Sequence, residues 1–332
     1  MKRTIVYQIP DSYIGHKLFE FLHAKGFSRQ LLTAMRHTDD CIFLSNGQPV
    51  RMNMLIPGAI SIKVIIPETE SETDLIPADY PIEILFEDED IMVVNKPAGL
   101  PIHPSRLHPD HSLANAIAYE YQSRQEPLVF RCVNRLDKDT SGLTILAKHP
   151  LSAAILYQMV KSRNLERTYF AIVDEAVADS GTIDQPISRR HADDMPNSIR
   201  RYIDPVDGAN AVTHFHVITR ANHLALLELH LETGRTHQIR VHMESIGFPL
   251  IGDRIYHPDN HMMERQALHA GRLDFVHPIT GQPLHFDAPL PADMQSFSRI
   301  FPSCDKQFQA IKMRSILLLI SLFKLTNFPG LG

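Results

Sequence analysis

Tryptophan is absent from the 332 residues, and cysteine is scarce: Cys41, Cys132 and Cys304 lie far apart with no CxxC pair among them. That excludes a disulfide framework and a zinc ribbon and suits a reducing compartment, so a cytoplasmic location is expected. Long apolar runs are missing as well. The one notable stretch, "SILLLISLF" at 315–323, falls far short of the ~20 residues that span a bilayer. It reads as a terminal helix, and no membrane partner is expected. The opening "MKRTIVYQIPDSY" has no apolar core, so no secretory signal is expected. Histidine is plentiful, but His237, His242, His257 and His269 lack a carboxylate-backed ligand pattern, so no metal is expected.

One strongly acidic stretch lacks basic residues altogether. Residues 66–95 hold ten Asp/Glu and no Lys/Arg, whereas 1–65 hold eight Lys/Arg against four Asp/Glu, and 96–332 hold 25 against 24. The net charge of −5 therefore sits in one acidic segment. With its three prolines that segment reads as a solvated connector, 67–81, between an N-terminal unit, 1–66, and a larger one, 82–302. The tail 303–332 is left unassigned. Apart from the connector the chain is mildly basic, which keeps a polyanion in play as partner.

Periodicity gives the coarse elements. Leu18, Leu22, Phe27 and Leu31 have helical spacing across 11–38. "CIFLSNGQPV" (41–50) reads as a strand, an Asn46-Gly47 turn and a return, and "GAISIKVIIP" (58–67) as a strand. Beyond the connector, a buried strand run is predicted within 91–99, stopped by Pro97 and Gly99, and further strands at 143–148, 167–173, 211–218 and 224–232. Helices are predicted at 150–164 and 237–247, the second ending near Gly247. Strands dominate without a regular βαβ rhythm, so the expected class is α+β: a mixed, mainly antiparallel sheet with flanking helices, plus a small N-terminal α+β module.

The chemistry-bearing stretch is "VNRLDKDTSG" (133–142). Arg135 and Asp137 flank Leu136 on a loop that reverses at Thr140-Ser141-Gly142, where Gly tolerates unusual dihedrals and the hydroxyls can bond local amides. A second basic stretch, "ETGRTHQIRVHM" (232–243), places Arg235 before a helix and Arg240 on it. A carboxylate held by guanidinium groups keeps its charge. Such a group serves as a structural ion pair, a nucleophile or a base. Residue types alone favour the structural pair. They make Asp139 an exposed loop carboxylate and Tyr169 a half-buried strand residue. Arg189, Arg190, Arg200 and Arg201 flank a polar loop and suit a polyanion contact.

These residues acquire a sharper reading from their company. "VNRLDKDTSGL" resembles the signature of the RluA-type pseudouridine synthases. "VNKPAGLPIHP" (94–104), "RTYFAIV" (167–173), "LETGRTHQIRVHMESIGFPLIGDRIY" (231–256) and "LHAGRLDFVHPITGQPLHFDAPLP" (268–291) are similar to four further segments of that family, in order, across about 82–295. Asn134 stands where the family commonly has His, and Asn210 where a Lys often precedes the strand. The front module, through Ser28-Arg29, Asn46-Gly47 and Gly58, resembles an RNA-binding domain of the ribosomal-S-four type, although its first helix lacks the usual acidic-basic start.

The resemblance implies an isomerase of RNA that needs no cofactor and works as a monomer on ribosomal or transfer RNA. It gives Asp137 the catalytic carboxylate, Arg240 the pairing charge and Tyr169 the uracil platform. Its phenol could also help take the proton from carbon 5. Arg135 would fill the gap left by the extruded base. Asn134, Arg235 and His237 would line the RNA surface, with Ser28 and Arg29 in the module. Attack on the sugar, deprotonation of it and addition to the ring all remain open for Asp137. Two rivals stand beside this reading: a catalytically silent RNA-binding protein of the same fold, and a hydrolase pairing Asp137 with Asp139, whose spacing is poor for that chemistry.

Overall fold

The computed structural model describes residues 3–38, 41–69, 74–105, 109–189 and 199–298. The tail 303–332 and Arg190 lie outside them. The chain opens with β1 (Arg3–Ile9), α1 (Leu18–Ala24), α2 (Arg29–His37), β2 (Ile42–Leu44) and β3 (Ile60–Ile66). The three strands form an antiparallel sheet in the order β1-β3-β2. Leu18, Phe21 and Leu22 of α1 and Leu31, Leu32 and Met35 of α2 share one buried cluster with its apolar face. Helix α2 starts at Arg29, where the Ser28 hydroxyl accepts the Leu31 amide at 3.1 Å as an N-cap.

The larger unit runs β4 (Glu83–Glu87), β5 (Ile91–Lys96), α3 (Leu113–Ser123), β6 (Ser141–Ala147), α4 (Pro150–Lys161), β7 (Glu166–Asp174) and β8 (Ser180–Asp184). It continues through β9 (Ile187–Ser188), β10 (Tyr202–Ile203), β11 (Val212–Ala221), β12 (Leu224–Leu231), α5 (Gln238–Ser245), β13 (Leu268–Val276), β14 (Pro283–Asp287) and α6 (Ala292–Ser298). Nine strands make one sheet in the order β4-β5-β6-β13-β7-β12-β11-β8, with β14 beside β13. All its pairings are antiparallel except β13 with β6, so the mixed, mainly antiparallel α+β class holds. One face of its β7–β12 half carries Tyr169, Ala171, Leu227 and Leu229, on which α5 lays Ile239 and Met243. That contact fixes the start of α5 against the loop before β6.

The described part of the connector is largely exposed, with no residue buried, yet it also lies on the larger unit. Leu75, Tyr80 and Ile82 pack against Val94, Leu113 and Ile117, Asn115 Nδ2 donates to the Ile76 carbonyl at 2.8 Å, and Glu68 pairs with Arg131. Apolar residues between the carboxylates outweigh the charge. The front module is also docked. Leu151 of α4 is part of its core, with Ile155 and Ile279 against it. Arg3 grips the buried Asp90 at 2.6 and 3.1 Å.

Asp90 belongs to a compact polar group with Asp88, His149 and His277. His277 Nδ1 accepts the amides of Ile279 and Thr280, and His149 Nδ1 accepts that of Ser152. Each Nε2 therefore bears the proton and donates, to Asp88 at 2.8 Å and Asp90 at 2.9 Å. Burial pushes the Asp90 carboxyl up, but bonds from His149 and Arg3 outweigh this and hold it at about 2. The group is an internal ion-pair network with its nitrogens committed.

Candidate active site

The loop between Val133 and β6 is shaped by what its alternate residues touch. Arg135 is exposed, Leu136 is buried in the β7–β12 cluster, and Asp137 turns toward an open cleft. Three buried cations hold the loop. Lys96 Nζ donates to the Lys138 carbonyl at 3.0 Å, as well as to those of Pro97 and Leu100. Arg265 Nη1 donates to the Asp139 carbonyl at 3.0 Å while its other nitrogens pair with Asp293. Arg240 Nη1 donates to Asp137 Oδ2 at 3.0 Å. Burial pushes the Lys96 amine down to about 7, against the upward pull of Asp139 and Asp137.

Gly142 ends the loop where no other residue fits. Its φ is +111°, and a Cβ there would stand 2.2 Å from the Ala270 carbonyl oxygen. This close approach lets β6 run parallel to β13. The two hydroxyls reach across to other segments and not to local amides: Ser141 Oγ meets His269 Nδ1 at 2.9 Å, and Thr140 Oγ1 accepts Gln266 Nε2 at 3.3 Å.

Arg240 is itself aimed. Asp253, fully buried, accepts from Arg240 Nε at 2.7 Å and Nη2 at 2.8 Å, and its Oδ1 also accepts the amides of Ile255 and Tyr256. The guanidinium thus spends one edge on Asp253 and offers Nη1 to Asp137. Burial opposes its charge, and the two carboxylates more than restore it. Tyr256 lies under both Arg240 and Arg200, their guanidinium carbons 5.2 and 4.7 Å from its ring centre.

His237 caps α5 in a left-handed conformation, φ +58°, a strain typical of functional positions. Its Nδ1 lies 3.0 Å from the Tyr256 hydroxyl and its Nε2 3.9 Å from Asp137. Burial pushes it toward the neutral form. Burial also pushes the Tyr169 phenol up, with Arg167 opposing and Asp137 adding. Tyr169 is 5% exposed and meets the cleft as a neutral phenol.

The cleft brings together Arg135, Asp137, Tyr169, Arg235, His237 and Arg240. Arg235 is exposed, with Nε on the Asn210 carbonyl at 3.1 Å. Asn134 is a correction. It is 3% exposed, donates to the Leu143 carbonyl and accepts the Ile145 amide, so it braces β6 and has no face for RNA. Asp139 is half-buried, not exposed. Arg200 pairs with Glu244 and stacks on Tyr256, which ties it to the cleft wall. Ser28 and Arg29 lie in the front module, the serine engaged as the cap and Arg29 exposed. Sequence reasoning missed Lys96, Asp253, Tyr256 and Arg265. A charge inside an apolar stretch, as at Asp253 in "FPLIGDRIY", was the available signal that a buried partner is needed.

A profile of the RNA pseudouridylate synthase family matches residues 90–245. An uncharacterised RNA pseudouridine synthase of Bacillus subtilis is 42% identical over 259 residues, 77% of this chain and 84% of that one. The ribosomal large subunit pseudouridine synthase D of Xanthomonas campestris is 35% identical over 304 residues, 86% and 89% of the two chains. Among solved structures, human RNA pseudouridylate synthase domain containing 4 superposes with a TM-score of 0.52 at 25% identity, covering 66% of this chain and 92% of that one. The chain belongs to the RNA pseudouridine synthase family, and the aspartate-bearing loop lies inside the matched region.

Proposed function

We propose that the cleft isomerises a uridine of ribosomal large-subunit RNA, with Asp137 as the catalytic carboxylate. The observation that carries this is the chain Asp253–Arg240–Asp137, which holds one partly exposed carboxylate, aimed and charge-paired, beside the Tyr169 ring. In the reaction the bond from uracil nitrogen 1 to the ribose anomeric carbon breaks, the base turns, and carbon 5 bonds to the same sugar carbon. The proton lost from carbon 5 is balanced by one gained at nitrogen 1, so no redox partner or cofactor enters. Tyr169 supplies a face for the extruded base, and its neutral hydroxyl a hydrogen-bonding group, not a phenolate base. Arg135 takes the place vacated by the base, while Arg235 and His237 contact the flanking strand. Ribosomal substrate is favoured over transfer RNA by the large-subunit names among the relatives.

On this reading residues 1–66 form an RNA-binding module, 67–81 a linker and 82–302 the catalytic domain of a cytoplasmic monomer. Tritium release from 5-tritiated uridine in large-subunit RNA tests the activity, and Asp137→Asn tests the assignment. The variant is isosteric and should bind RNA as the parent does while losing turnover altogether. No release by the parent leaves an RNA-binding protein, free uracil as product marks a hydrolase, and turnover by the variant removes Asp137 from its role.

A further inference from the structure

We propose that Arg167 is a receptor for one phosphodiester of the RNA substrate, reached through a gap at Gly234 on the rim of the cleft. This rests on the reading of the cleft as a site for RNA. Arg167 is the second residue of β7 and shares a sheet face with Tyr169, two positions on. It is 8% exposed, and its Nε is sealed with no hydrogen-bond partner. Among the described residues no carboxylate or carbonyl engages it. The other buried arginines of this half of the molecule are matched: Arg240 with Asp253 and Asp137, Arg265 with Asp293, Arg272 with Asp287. Buried cations are kept when something pairs with them, and here the partner has to come from outside.

The direction of approach is marked by Gly234. It is exposed at the turn between β12 and α5, and a Cβ on it would stand 3.2 Å from Arg167 Nη1 and 4.0 Å from Nη2. The residue that lies over the guanidinium is thus the one that has no side chain to cover it. Leu231 and Arg235, on either side of this turn, line the same cleft as Asp137. A guanidinium fork matches two phosphate oxygens, and RNA entering the cleft presents phosphates at every step. The site takes the phosphodiester next to the nucleotide held at Asp137, so it sets the register of the strand.

Binding of a large-subunit RNA fragment that the parent enzyme modifies, titrated across salt concentrations, provides the test. Arg167→Met should weaken affinity about tenfold and lower the slope of log K against log salt by about 0.7–0.9, the share of one phosphate. Arg167→Lys should keep the slope. Gly234→Ala, which leaves the charge in place and puts a methyl over Nη1, should weaken affinity without changing the melting temperature. If Arg167→Met is misfolded by circular dichroism, the alanine and lysine variants decide. Parent-like affinity and salt slope in Gly234→Ala, and in Arg167→Met where it folds, would overturn the proposal and make Arg167 structural. A parent enzyme that modifies no RNA would instead overturn the underlying assignment.

Discussion

Arg240 illustrates how one side chain can link two tasks. Its fork is consumed on one edge by Asp253 and presented on the other to Asp137. Arg240→Lys keeps the charge but offers a point in place of a fork. Turnover should then fall by roughly 10²–10³-fold, the scale for losing one preorganised donor. Asp253→Asn should cost roughly 10²-fold, because Arg240 loses its aim although it still reaches Asp137. In both variants the dissociation constant for RNA should stay near that of the parent, and single-turnover rates at saturating RNA measure the difference. A fall in affinity with unchanged turnover would make the network a scaffold. Asp137 and Arg240 were legible in the sequence because their flanking motifs are distinctive. Lys96 and Arg265 were not, because they act on backbone carbonyls 42 and 126 residues away, and no local pattern announces such a bond.

At the level of elements, β13 joins the sheet's halves and carries its pH response. His269 on it is pushed down to about 4, first by burial. His285 on β14 is raised to about 9 by Asp274 and Asp287. For His269 the unfolded chain binds the extra proton, so stability is lost as pH falls from about 6.5 through 4. For His285 the folded chain binds it, so stability is full below about 6.5 and lost as pH rises through 9. Denaturant midpoints against pH should therefore peak near 6.5. His269→Gln should flatten the acid limb and His285→Gln the alkaline one, and a limb that survives its own variant would refute its assignment. The same strand shows why part of the fold was hard to read. Eight of its nine residues are buried, His, Arg and Asp among them, so neither alternation nor apolarity marks it. Helix α3 is buried on most sides and shows little stripe, and β1 was overlooked within the basic front end. β5, β7, β12 and α4 were legible because apolar residues dominate them, although β5, β7 and β12 also bury Lys96, Arg167 and Glu228.

Across the whole molecule the front module behaves as an integral part of the larger unit. Its β1 holds Asp90 through Arg3, and its core includes Leu151 from α4. Arg3→Met should cost about 1–3 kcal/mol, since it leaves a buried carboxylate short of a partner, lowering the melting temperature by some 2–4 °C for each kcal/mol. Removing residues 1–66 should cost more, by uncovering Leu151 and Ile155. A melting temperature unchanged by either variant would mean that the contact contributes nothing. The parallel pairing of β6 with β13 has a temporal consequence. Asp137 is synthesised 103 residues before Arg240, and Ser141 waits 128 residues for His269. Contacts of that separation form slowly, and during translation they cannot form until Arg240 and His269, in the last third of the chain, have emerged from the ribosome. The loop that bears Asp137 is thus made early and assembled late, so a nascent or truncated chain carries the carboxylate and Lys96 without Arg240 and Arg265, which complete its support.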